Sequence, residues 1–289
     1  MRLWNKNQEK IFFKESKKVA FTNQLFYKMD DGRYLAYLPK GYRGPKSTLQ
    51  SRNSLISNFT EKWVCDLFDS LINDENFYII RQARIPSLGI NSRSPADVVI
   101  ATENKKVLKA EEVKVMFEVK MSLVWNWQYD VDSDDIKEVG DFRTHQGKPS
   151  FTCSGSVLKT ISKCIDIRVS NLESSKIPMI VLGNAPLSNA LSKRVDYLKR
   201  AGIIQGFWSL NPFPLNHGNT RKSTPKGGFI RFDNTDELEL HLNQLFDKDL
   251  NFFSGMENTE LLGKYIEMAN MEENYENKGL KFLNIIRTH

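Results

Sequence analysis

From Ser54 to Ile72 apolar residues recur at every fourth position, as Leu55, Phe59, Trp63, Leu67 and Leu71. A stripe at that spacing predicts an amphipathic helix. Phe77–Ile85 then reads as a strand, and Ala96–Ala101 and Val113–Met121 as two more, joined by a polar, lysine-rich connection. Val157, Ile161, Ile165 and Val169 predict a second helix, with Lys159 and Lys163 facing away from its apolar side. Ile177–Leu182 is almost entirely apolar, the mark of a strand buried on both faces. Leu187–Arg200 reads as helix and Ile203–Leu210 as another buried strand. Gly228–Phe232 predicts a last strand, followed by a helix over Asp236–Phe246 and a helical tail from Glu257. Before Ser54 the pattern is irregular, with short strands such as Tyr34–Leu38 and a basic, Gly/Pro-rich loop over Pro39–Lys46.

The order helix, three strands, helix, strand, helix, strand implies an α/β fold: a mixed central β-sheet flanked by helices. Three regions are expected on this pattern: an N-terminal extension (1–53), a core (54–210) and a C-terminal subdomain for recognition or oligomerisation (211–289).

Composition narrows the class. With 40% hydrophobic and 11% aromatic residues in 289, the chain can bury a substantial core, which argues against disorder. Cys65, Cys153 and Cys164 are odd in number and lack C-x-x-C spacing, so neither a disulfide framework nor a structural zinc site is expected. The histidines His145, His217, His241 and His289 are too scattered for a histidine metal motif. The charged N-terminus lacks a signal-peptide pattern, and no run reaches the roughly 18 apolar residues of a membrane span. A cytoplasmic protein without membrane contact is the expectation.

The net charge of +6 leans toward polyanionic partners, and its distribution strengthens that lean. Gly32 to Thr60 holds no acid but includes Arg33, Lys40, Arg43, Lys46 and Arg52. Tyr197 to Phe232 is likewise acid-free and basic, while acids gather in Asp130–Glu138 and after Asp233.

Candidate chemistry lies where two predicted strands meet. Ser94-Pro-Ala-Asp97-Val-Val-Ile100 is followed about twenty residues later by Met116-Phe-Glu118-Val-Lys120-Met121. Phosphodiester hydrolysis calls for a hard cation that neutralises developing charge and acidifies a water. Magnesium is held by one or two carboxylates plus water and phosphate, and Asp97 and Glu118 can supply those carboxylates. Alternate strand residues share a face, so Glu118 and Lys120 project together while Val115, Phe117 and Val119 point into the core. An acid-x-Lys triplet is cheap: Glu112–Lys114 is another of several. Glu118–Lys120 differs by ending an apolar strand. An antiparallel hairpin would set the start of the first strand, Asp97, beside that end. The same hairpin leaves Glu112–Lys114 near the turn.

These residues resemble the PD-(D/E)XK nuclease superfamily, and within it type II restriction endonucleases, over roughly Ser54 to Leu210. Ala96 stands between Pro95 and Asp97, where the name-giving motif sets proline directly before the acid. The resemblance implies a restriction-endonuclease-like core in which Asp97, Glu118 and the Val119 carbonyl bind magnesium, with manganese an expected substitute. Lys120 would then serve the attacking water. Many members add a carboxylate from the preceding helix; Glu61 is the candidate, with a plain surface glutamate as the other reading. Type II enzymes further imply double-stranded DNA as substrate, a homodimer, and functional pairing with a DNA methyltransferase.

Candidate phosphate contacts are Lys40, Arg43, Lys46, Arg52, Arg143, Lys148, Lys159 and Lys163, with Arg221 and Lys222 in the loop Asn216–Lys226. Trp125 and Trp127 read better as core than as base-stacking residues, and His145 as no more than a DNA contact. The acidic stretch Asp130–Glu138 reads as a solvated loop rather than a cation site. Two alternatives stand beside the sequence-specific endonuclease: a structure-specific repair, junction or transposition nuclease with the same chemistry, and a non-enzymatic DNA-binding module.

Overall fold

The computed structural model describes residues 2–72, 74–246 and 259–288. The chain opens with helix α1 (Lys6–Ser16), short helix α2 (Thr22–Leu25) and short strands β1 (Tyr27–Lys28) and β2 (Tyr34–Leu35). Asn5 caps α1, its side chain accepting from the Asn7 amide. Helix α3 (Gln50–Asp69) starts four residues before the predicted stripe, so the boundary expected at 53 falls inside it. It buries Ile56, Trp63, Val64, Leu67 and Phe68, and Thr60, whose hydroxyl donates to the Ile56 carbonyl at 2.9 Å.

Strands β3 (Tyr78–Ala83), β4 (Ala96–Ala101) and β5 (Val113–Val119) form an antiparallel meander. A hairpin follows, β6 (Asn126–Asp130) and β7 (Asp135–Gly140). The chain then alternates through α4 (Ser154–Ser170), β8 (Met179–Gly183), α5 (Ser192–Arg200), β9 (Gly206–Ser209), β10 (Phe229–Arg231) and α6 (Thr235–Phe246). Helices α7 (Thr259–Ala269) and α8 (Tyr275–Thr288) close the described chain around a small cluster of Tyr265, Ile285 and Ile286. The first residues of the predicted tail helix, 257–258, lie outside the described residues, as does His289.

The main sheet has six strands in the order β10-β9-β8-β5-β4-β3. Strands β5, β8, β9 and β10 are mutually parallel and β4 is antiparallel to β5. The fold is therefore the expected α/β arrangement, a mixed sheet with helices on both faces and helical additions at each end. The expected boundary at 210 cuts through this unit, because β10 belongs to the same sheet. Each face carries its own core. Val98, Ile100, Val115, Phe117 and Ile180 pack toward α3, together with Trp4, Phe12 and Phe13 of the N-terminal segment. Val99, Met116, Val181 and Phe207 pack toward α4 and α5. Each such side chain contributes roughly 1.5–3 kcal/mol when fully buried. Gly228 lets β10 start against α5, since a Cβ there would stand 2.4 Å from the Val195 carbonyl group.

Two expectations need correction. The acidic stretch Asp130–Glu138 is not a plain solvated loop: it spans the turn between β6 and β7, which join β1 and β2 in a second sheet of order β1-β2-β6-β7. Trp125 and Trp127 are buried, and acids of the supposed solvated loop pair with α1 lysines, Lys6 to Glu138 at 2.8 Å and Lys10 to Asp135 at 3.4 Å. Helix α4 is also rotated relative to its predicted stripe. Its buried face runs through Val157, Thr160, Ile161, Cys164, Ile167 and Arg168, while Ile165 and Val169 are exposed. Strict four-residue spacing drifts around a helix of 3.6 residues per turn, and the fold follows the mixed three-and-four spacing instead.

Candidate active site

The parallel strands end at one edge of the main sheet, and β4 starts there. Val98 pairs with Phe117 across β4 and β5, and one more step of that register sets Asp97 opposite Glu118. Both carboxylates then lie on the α4 face, the same face as Val99 and Met116 two residues away on each strand. The Val119 amide donates to Asp97 Oδ2 at 2.7 Å, which fixes the aspartate against the end of β5.

Lys120 Nζ is 2.7 Å from Glu118 Oε1 and 3.8 Å from Asp97 Oδ2. A second ammonium approaches from α4: Lys163 Nζ is 2.7 Å from Glu118 Oε2 and 3.8 Å from Asp97 Oδ1, and donates to the Pro95 carbonyl at 3.2 Å. Sequence spacing turned Lys163 away from the apolar side of its helix; the rotated face of α4 brings it over the carboxylates.

Electrostatics follow from this packing. Burial, and next the Glu118 charge, push the Asp97 carboxyl up from its ordinary 3.8 to about 6. Burial acts on Glu118 in the same sense, but the Lys120 and Lys163 ammoniums and their hydrogen bonds outweigh it and hold Glu118 below the usual value. Burial disfavours a charged Lys120, yet Glu118 and Asp97 more than compensate and raise it.

The surrounding chain is pinned on two sides. The Ser122 amide donates to Asn184 Oδ1 at 3.1 Å, and Asn184 Nδ2 returns a bond to the Ser122 carbonyl at 2.7 Å, tying the residues after Lys120 to the end of β8. Asn211 Nδ2 donates to the Asn184 carbonyl at 3.0 Å. Farther on, buried Glu9 of α1 accepts from the Val124 and Trp125 amides and from the indoles of Trp4 and Trp127. Sequence reading missed both clamps; a polar residue beside apolar neighbours carries no signal of what it will meet across the fold.

The donor set suits a hard divalent cation. Asp97 and Glu118 offer carboxylate oxygens, and among the described residues no cluster of three or more His, Cys, Asp or Glu forms. That is the ligand number magnesium takes from protein when water and phosphate complete its shell. Val119, expected to add its carbonyl, sits between Glu118 and Lys120 on β5. Glu61 is not brought to this group by any hydrogen bond or ion pair: it accepts from Gln82 Nε2 at 3.2 Å and lies 3.6 Å from Arg81 Nε on β3.

The expected phosphate contacts separate into three groups. Lys40, Arg43, Lys46, Lys148 and Lys159 are exposed. Arg143, Arg221 and Lys222 are engaged by the protein: Arg143 forks onto Asp141 at 2.9 Å, Arg221 donates to Ser192 and Asn189, and Lys222 pairs with Asp233 at 2.7 Å and Glu237 at 2.5 Å. Arg52 corrects the expectation outright, being buried. It donates to the Leu25 and Ala36 carbonyls and stacks over Tyr37, with its guanidinium 4.9 Å from the ring centre. His145 is also buried, stacked on Tyr37 at 4.2 Å, so it presents no edge to a nucleic acid.

Cavities of about 570, 560 and 540 Å³ elsewhere on the fold are lined by none of Asp97, Glu118, Lys120 or Lys163. The candidate site borders solvent at the ends of the strands while remaining largely buried, the Lys120 side chain being 29% exposed, Asp97 17% and Glu118 11%. No helix among the described residues is long and apolar enough to cross a membrane. Comparison with known proteins returns no match: no protein-family model, no curated protein and no solved structure is recognisably similar to the chain.

Proposed function

We propose that the chain is a magnesium-dependent DNA endonuclease acting on double-stranded DNA in the manner of a type II restriction enzyme. The observation that carries the reading is the convergence of Asp97, Glu118 and Lys120 on one sheet face, with ammonium-to-carboxylate distances of 2.7 and 3.8 Å. A bound magnesium ion, for which manganese substitutes, would neutralise charge on the phosphoryl group and acidify a water. Asp97 and Glu118 hold the cation. Lys120 orients the attacking water and offsets phosphate charge. Exposed Lys40, Arg43, Lys46, Lys148 and Lys159 supply sequence-independent phosphate contacts to the duplex. Cutting both strands of a palindrome implies a two-fold homodimer, and protection of the host's own sites implies a companion methyltransferase.

Incubation with unmethylated phage DNA in magnesium or in EDTA tests the reading. Discrete, magnesium-dependent fragments are expected. Cleavage confined to branched or damaged DNA would move the assignment to a structure-specific nuclease. Tight DNA binding without cleavage in any divalent ion would leave only a binding module.

A further inference from the structure

Four charged groups meet at the sheet edge, and the nuclease reading uses three of them. The fourth, Lys163, is neither a surface charge nor a tie between elements alone. Its side chain is 25% exposed, so it borders solvent while touching Glu118 at 2.7 Å. The two lysines take opposite oxygens of each carboxylate: Lys120 faces Glu118 Oε1 and Asp97 Oδ2, whereas Lys163 faces Glu118 Oε2 and Asp97 Oδ1. They therefore flank the carboxylate pair, one rising from just past the end of β5 and the other reaching down from α4.

Charge counting gives this arrangement a purpose. Two carboxylates and two ammoniums sum to zero, so a divalent cation leaves the site at +2. A phosphodiester carries one negative charge and becomes a dianion as hydroxide adds to phosphorus. With both lysines the site matches that dianion; with Lys120 alone it falls one charge short. A divalent ion at Asp97 and Glu118 would also compete for the oxygens the ammoniums hold, freeing both to donate elsewhere. Resting on the nuclease reading, we propose that Lys163 is a further catalytic residue, donating to the scissile phosphate from the α4 side, across from Lys120.

The test uses the full chain and its Lys163→Ala, Lys163→Arg and Lys120→Ala variants, with thermal melting to confirm that each is folded. Manganese affinity, read by electron paramagnetic resonance without DNA, should tighten roughly tenfold in Lys163→Ala, because one of two repelling charges about 4 Å away is gone. Single-turnover cleavage by Lys163→Ala should slow by about 100-fold, in the range of a lost transition-state donor. Duplex affinity in calcium should change by less than about threefold, the effect of one phosphate contact among several. Lys163→Arg should recover part of the rate. Wild-type cleavage by Lys163→Ala beside a dead Lys120→Ala overturns the assignment and leaves the nuclease reading intact. Manganese affinity unchanged in Lys163→Ala also overturns it. A wild-type protein that binds manganese and cuts no DNA overturns the nuclease reading and this assignment with it.

Discussion

Replacing Glu9 by glutamine removes one titrating proton from the centre of the N-terminal core. Glu9 is fully buried; its Oε1 accepts from Val124 N at 2.6 Å and Trp4 Nε1 at 3.3 Å, and its Oε2 from Trp127 Nε1 at 2.8 Å and Trp125 N at 3.3 Å. Burial raises its carboxyl from the ordinary 4.5 to about 7, with the four donors restraining the rise. The native state thus holds this proton more tightly than the unfolded chain. The contribution to stability is complete below the unfolded value and is lost as pH rises through about 7. Between pH 5 and pH 8 the linkage amounts to about 2.5 kcal/mol. Glutamine cannot titrate, but like a protonated carboxyl it turns hydrogens toward two of the donors. The unfolding free energy of wild type minus that of Glu9→Gln should therefore fall by about 2.5 kcal/mol from pH 5 to pH 8. Urea titration followed by tryptophan fluorescence reads it directly, since Trp4, Trp125 and Trp127 all contact Glu9 or its clamp. Taking the difference cancels every other titrating group. Parallel stability curves for the two proteins would refute the reasoning, because Glu9 would then titrate alike in both states.

His145 behaves oppositely. Burial lowers it from 6.5 to about 4, so it stays neutral in the fold and costs stability as pH falls through 6.5 toward 4; its proton resonances should not titrate above about pH 5, and a midpoint near 6.5 would contradict the packing. Arg52→Ala should lower unfolding free energy by about 2–4 kcal/mol by orphaning two buried carbonyls. The Lys40→Ala, Lys46→Ala double variant should instead leave stability unchanged, weaken duplex binding and reduce the salt slope by about 2; the reverse pattern would show that their exposure has been misread. Gly228→Ala should destabilise by about 1–3 kcal/mol, read as a fall in melting temperature, because its Cβ meets Val195 backbone rather than a movable side chain.

The legibility of this fold in its sequence varied with the kind of signal. Strong periodicity sufficed for α3 and for the apolar strands β4, β5 and β8, and hairpin arithmetic then put Asp97 beside Glu118. Weak or mixed periodicity did not. Helix α1 buries Glu9, Phe12 and Phe13 while Ile11 is exposed, so no clean apolar stripe announces it. Strand β6 carries its signal in the alternation of Trp127 and Tyr129, continued from Trp125 just before it, but the acids that follow masked it; their partners are α1 lysines 125 or more residues away. Charge was the poorest guide to exposure. Arg52 and Lys159 look equivalent in sequence, yet one is buried against carbonyls and the other is exposed. Lys163 shows how a modest error in helical phase moves a residue from the surface to the candidate site.

Cleavage of unmethylated duplex DNA by the wild type beside Lys120→Ala, each in magnesium and in EDTA, tests the central claim most directly. The account predicts fragments only from the wild type and only in magnesium, with a loss of at least about 100-fold in the variant. Cleavage indifferent to Lys120, or none by the wild type on any duplex, would contradict it.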